Sequence, residues 1–133
     1  MNVDLHSHST ASDGLLNPGE LVARAAANGV DVLALTDHDD VSGLGEARAA
    51  AESRGIRFVD GVEISVTWKS TTVHVVGLQI DPQHPVLRSG LESIREGRAG
   101  RAERIGDALD AAGTPDSLAG AKHYAGNADL ISR

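Results

Sequence analysis

The chain has 133 residues, with 19 acidic against 12 basic side chains and a formal net charge of −7. At 41% hydrophobic and 23% charged it lies in the globular range, which excludes wholesale disorder and a coiled coil as starting points. Aromatics at 2% and the acidic balance argue against base-stacking or non-specific nucleic-acid binding, and the absence of cysteine excludes disulfides, thiolate metal sites and cysteine nucleophiles.

The first eighty residues alternate strand and helix signals. Val3–His6 is a short apolar start running into polar residues, with no basic opening and no apolar signal region. Asn17-Pro18-Gly19-Glu20 has the form of a helix entrance: an Asn cap, Pro at the first helical position and an acid in the first turn. Leu21, Val22, Ala25 and Ala26 follow at helical spacing, and Asn28-Gly29 stops the helix. Val30–Thr36 is a nearly continuous apolar run, as in a strand covered on both faces. Ser42 is placed to cap a second, Ala-rich helix that ends at Arg54-Gly55. Ile56–Val66 forms a third strand region, and a turn at Lys69-Ser70 leads to the β-branched run Thr72–Ile80. Strand, helix, strand, helix, strand is the α/β pattern with parallel strands.

Asp81-Pro82-Gln83-His84-Pro85 punctuates the chain, dividing residues 1–80 from a mainly helical segment, 81–133. Leu87, Leu91, Ile94, Ile105 and Leu109 fall within about 60° of arc on a helical wheel, one apolar stripe ended by Gly113-Thr114-Pro115. Short helices are expected over Pro115–Tyr124 and Asn127–Arg133. No run approaches the roughly 18 apolar residues of a membrane span. The expectation is a soluble, cytoplasmic chain with no membrane partner and no stable grip on duplex nucleic acid.

Polar residues stand where the strands end. His6 and His8 are two apart, so on an extended segment both project from one face, about 6.6 Å apart. Asp13 lies on a turn, Ser12-Asp13-Gly14, that can fold back toward them. Asp37, His38 and Asp39 end the second strand, Glu63 lies in the third, and His74 in the fourth. Parallel α/β architectures place functional groups at the carboxyl ends of their strands. Taken singly, His74 reads as a core histidine and Asp37 as a turn former. Together they read as a metal site, and imidazole plus carboxylate without sulfur suits Mn, Fe(II) or Zn.

These stretches carry a resemblance. Asp4-Leu5-His6-Ser7-His8-Ser9-Thr10 with Ser12-Asp13-Gly14, then Leu35-Thr36-Asp37-His38-Asp39, then Gly61-Val62-Glu63-Ile64-Ser65 and His74-Val75-Val76-Gly77 resemble the first three motifs of the PHP (polymerase and histidinol phosphatase) phosphoesterases. Within that superfamily the chain is most similar to the bacterial nucleoside 3′,5′-bisphosphate phosphatases. The resemblance implies a distorted, TIM-like (β/α)7 barrel, seen here as its N-terminal half with the start of a helical insertion, and two or three divalent metals, commonly manganese. It implies that His6 and His8 hold the first metal, that Glu63 bridges to a second held by His74, and that Asp13 and His38 hold a third. Asp37 is assigned behind these ligands.

The family completes its site with a further His and a late Asp-x-His pair, which this sequence does not supply. A 250-residue barrel is typical, and the chain is therefore expected to be half of such a domain, with the 133-residue piece alone lacking turnover. His84 reads as a solvated turn residue and His123 as a helix-surface one. Arg98 and Arg101 lie near the apolar stripe, where their stems can cover apolar surface while the heads reach water or hold a phosphate. Arg133 is a phosphate-binding candidate by resemblance.

The reading is hydrolysis of a phosphomonoester by metal-bound hydroxide, which metal coordination makes available near neutrality. The resemblance points to the 3′-phosphate of a nucleotide such as pAp, with oligonucleotide ends as secondary substrates. Histidinol-phosphate phosphatase or exonuclease activity shares the same first motifs. An amidohydrolase, which also opens with His-x-His, would add a metal-bridging Lys, and Lys69 has no such context. A non-catalytic metal-binding remnant is the alternative from another class. No pattern encodes an oligomeric state.

Overall fold

The computed structural model describes residues 1–125, the side chain of Ala99 apart. Its elements run β1 (Val3–Asp4), α1 (Pro18–Ala27), β2 (Val32–Leu35), α2 (Leu44–Glu52), β3 (Arg57–Trp68), β4 (Thr71–Leu78), α3 (Pro85–Ala111) and α4 (Ser117–Ala125). The chain divides into two compact units, Met1–Leu91 and Glu92–Arg133, so that the boundary falls inside α3. Among the described residues no helix is long and apolar enough to cross a membrane.

Local chemistry sets the helix ends of the first unit. The Asn17 side chain accepts from the Glu20 backbone N–H at 2.8 Å, and the Glu20 carboxylate accepts from the Asn17 N–H at 3.2 Å. This reciprocal capping box satisfies two of the donors that a helix start leaves open. Gly29, at φ 74°, takes the left-handed conformation that follows a helix. Ser42 does not cap α2, contrary to expectation; Gly43 holds that position without a side-chain bond. Ser42 is one residue too early, because Asp40 has already turned the chain by accepting from its N–H at 2.6 Å.

The four strands lie in the order β1-β2-β3-β4. The first three are parallel, as expected, with Val3 opposite Val32 and Val32 opposite Arg57. The fourth departs from the parallel pattern. β3 is 12 residues long, pairing with β2 as far as Asp60 and then, from Gly61, with β4 in antiparallel register. Lys69 and Ser70, at φ 47° and 67°, make the two-residue turn whose twist suits a hairpin. Gly61 stands at the changeover. A Cβ there would lie 2.7 Å from Thr36 Cγ2 and 3.0 Å from Leu35 O, so the approach of β3 to β2 requires glycine.

α1 and α2 cover one face of the sheet. Val22, Leu33, Leu35, Leu44, Ala47, Ala51 and Ile56 form the buried core, with Phe58 and Ile80 packed against it. Leu33 and Leu35 point to the same face because side chains alternate along a strand, and Ala34 between them is buried on the other. Each fully buried Leu or Val stabilises the fold by about 1.5–3 kcal/mol through apolar burial. With three aromatic residues in the whole chain, this aliphatic core carries the packing.

In the second unit, α3 ends before Gly113, at φ 93°, and α4 follows. A Cβ at Gly106 would lie 2.9 Å from Leu118 Cβ, so the two helices meet closely there. The apolar stripe expected along α3 is only partly buried: Leu91 is covered, whereas Ile105 and Leu109 are 49% and 42% exposed. Leu118 docks on the Gly106 side of the helix, about 100° around from Ile105. The helix expected over 127–133 lies outside the described residues.

Candidate metal centre

β1 is shorter than the polar segment that follows it, so His6 and His8 do not sit on a strand as expected. After Asp4 the segment runs beside the end of β2 through bonds of mixed kind: Thr36 N–H to Ser7 O at 2.9 Å, Ser7 N–H to Thr36 Oγ1 at 3.2 Å and Ser7 Oγ to Ala34 O at 2.7 Å. The side chains of His6 and His8 still converge, with ring centroids 5.0 Å apart.

Beyond β2 the chain continues toward β3. Glu63 N–H donates to Asp37 O at 3.1 Å and Asp39 N–H to Glu63 O at 2.9 Å, which makes His38 and Glu63 a parallel bridge pair. Asp39 is fully buried at φ 52°, a conformation Asp tolerates better than most residues, and its Oδ1 accepts from Ser65 N–H at 2.6 Å. The turn therefore fixes His38 and Glu63 together. In the hairpin, Glu63 lies opposite Val76 and Ser65 opposite His74, which puts Glu63 and His74 on one face.

The side chains meet around the Glu63 carboxylate. Its Oε2 lies 2.7 Å from His6 Nε2, 3.2 Å from His8 Nε2 and 3.6 Å from His38 Nε2, and its Oε1 lies 3.3 Å from His74 Nδ1. Asp13 approaches from the other side, with Oδ1 3.6 Å from His8 Nδ1 and Oδ2 3.5 Å from His38 Nε2. Three overlapping groups result: His6–His8–Glu63, His8–Asp13–His38 and His38–Glu63–His74, each with donor atoms within 4.8 Å of one another. Burial raises the Glu63 carboxyl pKa, but the hydrogen bond with His6 and the charges of His38, His6 and His8 outweigh it and hold the group below its ordinary value.

The donor set fits divalent cations. Four imidazoles and two carboxylates, without sulfur, suit Mn, Fe(II) or Zn. The buried His8 Nδ1 makes no hydrogen bond, an uncompensated position that a cation would satisfy.

The six residues singled out as ligands from the sequence are thus brought together. Asp37 is not among them: it is buried and accepts from Ser9 N–H, Ser9 Oγ and Ser12 Oγ at 2.7, 2.7 and 2.6 Å. Arg98 is buried on α3 and Arg101 is exposed; Arg133 lies outside the described residues. His84 precedes α3 and His123 lies on α4, both exposed. Sequence reasoning passed over Ser9, Ser12 and the packing role of Asp39. The turn read at Ser12-Asp13-Gly14, with Ser9 three residues before Ser12, is the signal that could have pointed to the two serines.

The PHP domain family model matches residues 4–114. The chain is 54% identical, over 99% of its length, to a 3′,5′-nucleoside bisphosphate phosphatase of Chromobacterium violaceum, of which it covers 46%. It is 52% identical, over 92% of its length, to a 5′-3′ exoribonuclease of Haemophilus influenzae, covering 44% of that protein. A solved structure from Chromobacterium violaceum, described as an amidohydrolase with bound sulfate and no metal, superposes at a TM-score of 0.88 with 54% identity, over all of this chain and 47% of that one. The chain therefore spans just under half the length of these relatives. Both the match across most of the chain and the strand-end cluster lead to one conclusion: the chain belongs to the PHP domain family.

Proposed function

We propose that this chain supplies the N-terminal half of a metal-dependent phosphatase centre that removes the 3′-phosphate of a nucleoside 3′,5′-bisphosphate. One observation carries the reading: four imidazoles gather around the Glu63 carboxylate, and Asp13 closes on two of them, His8 and His38. The sheet is then one arc of a (β/α)7 barrel, and residues 81–133 begin the helical insertion. His6, His8, Asp13, His38, Glu63 and His74 would hold two or three divalent ions, manganese first among them. Bound ions supply Lewis-acid charge and bring the pKa of water toward neutrality.

The chain's own residues do the rest. Glu63 turns its two oxygens toward different imidazoles, Oε2 to His6, His8 and His38 and Oε1 to His74, a carboxylate built to serve two positions at once. The neighbouring histidines keep it ionised. An anionic nucleotide would be repelled by a chain of charge −7, so the centre must reverse the local sign before it accepts phosphate. Arg133 is proposed as a phosphate contact by resemblance, and Arg98 and Arg101 from their place beside the apolar stripe of the helix.

A second reading, release of nucleotides from 5′-phosphorylated RNA, is favoured by the 52% identity to the exoribonuclease. The test is to purify the natural protein carrying this chain with manganese, count metal per chain, and offer pAp, p-nitrophenyl phosphate and 5′-phosphorylated oligoribonucleotides. Two or three metals with phosphate release from pAp are expected; His8→Ala, which breaks two of the three groups, should lower the metal count and abolish release. Mononucleotide release from RNA with pAp untouched would overturn the bisphosphatase reading. Absence of metal would overturn the centre itself.

A further inference from the structure

Asp37 stands beside a candidate ligand and is turned away from the cluster. It is 2% exposed, and both carboxylate oxygens are engaged: Oδ1 accepts from Ser9 N–H at 2.7 Å and Ser12 Oγ at 2.6 Å, Oδ2 from Ser9 Oγ at 2.7 Å. Short bonds at a buried carboxyl group are costly to lose, because each one lost leaves a buried polar atom unsatisfied. All three donors lie in the segment Ser9–Ser12 that leads into Asp13.

That segment is closed on itself as well. Ser12 N–H and Gly14 N–H both donate to Ser9 O, at 3.0 and 2.9 Å, and Ala11 N–H donates to Ser9 Oγ at 3.1 Å. A Cβ at Gly14 would lie 2.2 Å from His8 O, so the return of the chain beneath His8 admits only glycine. Ser12 Oγ also lies 3.2 Å from Asp13 Oδ1, joining the buried carboxylate to the exposed one through a single hydroxyl. On the other side, Asp37 is covalently next to His38, and its carbonyl accepts from Glu63 N–H.

We infer that Ser9, Ser12 and Asp37 form a clamp whose task is to set the cation affinity of the His8–Asp13–His38 group, separately from the other two groups. Asp37 is a positioning residue: it ties the turn bearing Asp13 to the strand end bearing His38, the two sides of that group. Of the three groups only His8–Asp13–His38 includes Asp13, and the His38–Glu63–His74 group has its own brace in the bridge between His38 and Glu63. The inference rests on the metal-centre reading and adds a selective role for residues outside the cluster.

The test is a Mn2+ titration of the full protein, read by the electron paramagnetic resonance of free Mn2+, with thermal melts alongside. Ser12→Ala is expected to weaken one Mn2+ equivalent about 10- to 100-fold, the range for groups that orient a ligand, and to leave the others within about twofold. Asp13→Asn, which spares the clamp, is expected to weaken that same equivalent. If Asp13→Asn does so and Ser12→Ala does not, the clamp is overturned while the metal centre stands. If Asp13→Asn leaves every equivalent unchanged, the centre as assigned is overturned and the clamp with it. An equal loss at all equivalents in Ser12→Ala, with a lowered melting temperature, shows general structural damage and overturns the selective role. Should Ser12→Ala fail to fold, Ser12→Cys keeps the volume with a weaker donor and reads the same outcomes.

Discussion

At Glu63, burial and the surrounding imidazoles pull in opposite directions, and the imidazoles win: the carboxyl sits below its ordinary pKa. A carboxyl lowered in the folded state adds stability that is complete above the ordinary carboxylate range, near pH 4.3, and is lost as pH falls through the lowered value. In chelator, the native chain is therefore expected to exceed Glu63→Gln in stability by about 1.5–3 kcal/mol at pH 6, the scale of a hydrogen bond to a charged group. The gap should close toward pH 3. Paired thermal melts across that range check this, and a gap that widens on acidification would contradict the sign. Asp39 works differently, by holding backbone. It is buried, and Ser65 N–H depends on its Oδ1. Asp39→Ala leaves that amide unsatisfied and is expected to cost about 1–3 kcal/mol, with a loss of Mn2+ affinity because His38 and Glu63 lose their common brace. Asp39→Asn, which keeps an acceptor oxygen, should recover most of both.

Among the elements, β3 decides the architecture by changing partner at Gly61. Gly61→Ala would push a methyl to within 2.7 Å of Thr36, one residue before Asp37. Overpacking of this kind costs about 1–3 kcal/mol, and here it also separates the β2 end from Glu63. Denaturant unfolding should show the stability loss and metal titration a joint weakening of the equivalents that use Glu63. Leu35→Ala makes the contrast. It removes core volume on the helix-covered face, so a loss of about 2–5 kcal/mol is expected with metal affinity nearly unchanged in the fraction that remains folded. The sequence made much of this legible. Asn17-Pro18-Gly19-Glu20 announced α1 because capping is local chemistry, and the apolar run at 30–36 announced β2 because burial on both faces leaves no alternation. The direction of β4 was hidden, since a β-branched run looks alike in parallel and antiparallel pairing; only the two-residue turn at Lys69-Ser70 encodes it. The histidines and acids of the cluster stood out by residue type. Ser9, Ser12 and Asp39 did not, because each matters through a hydrogen bond to a residue 25 to 28 positions away.

For the molecule as a whole, charge and metal are linked. Glu63 and Asp13 bring two carboxylates among four imidazoles in a chain of net charge −7, so a divalent cation enters a site already prepared for positive charge. A cation that binds the folded chain and not the unfolded one stabilises it by about 2.7 kcal/mol at a concentration 100-fold above its Kd. For a chain of 133 residues, with an unfolding entropy of roughly 2.1 cal/mol/K per residue, this raises the melting temperature by about 10 °C. Mn2+ is accordingly expected to shift the melt upward in a concentration-dependent way, and excess chelator to reverse it. His8→Ala should reduce the shift more than His74→Ala does, because His8 belongs to two of the three groups and His74 to one. A Mn2+ shift that survives intact in His8→Ala would place the stabilising cation elsewhere and separate metal binding from the strand-end cluster.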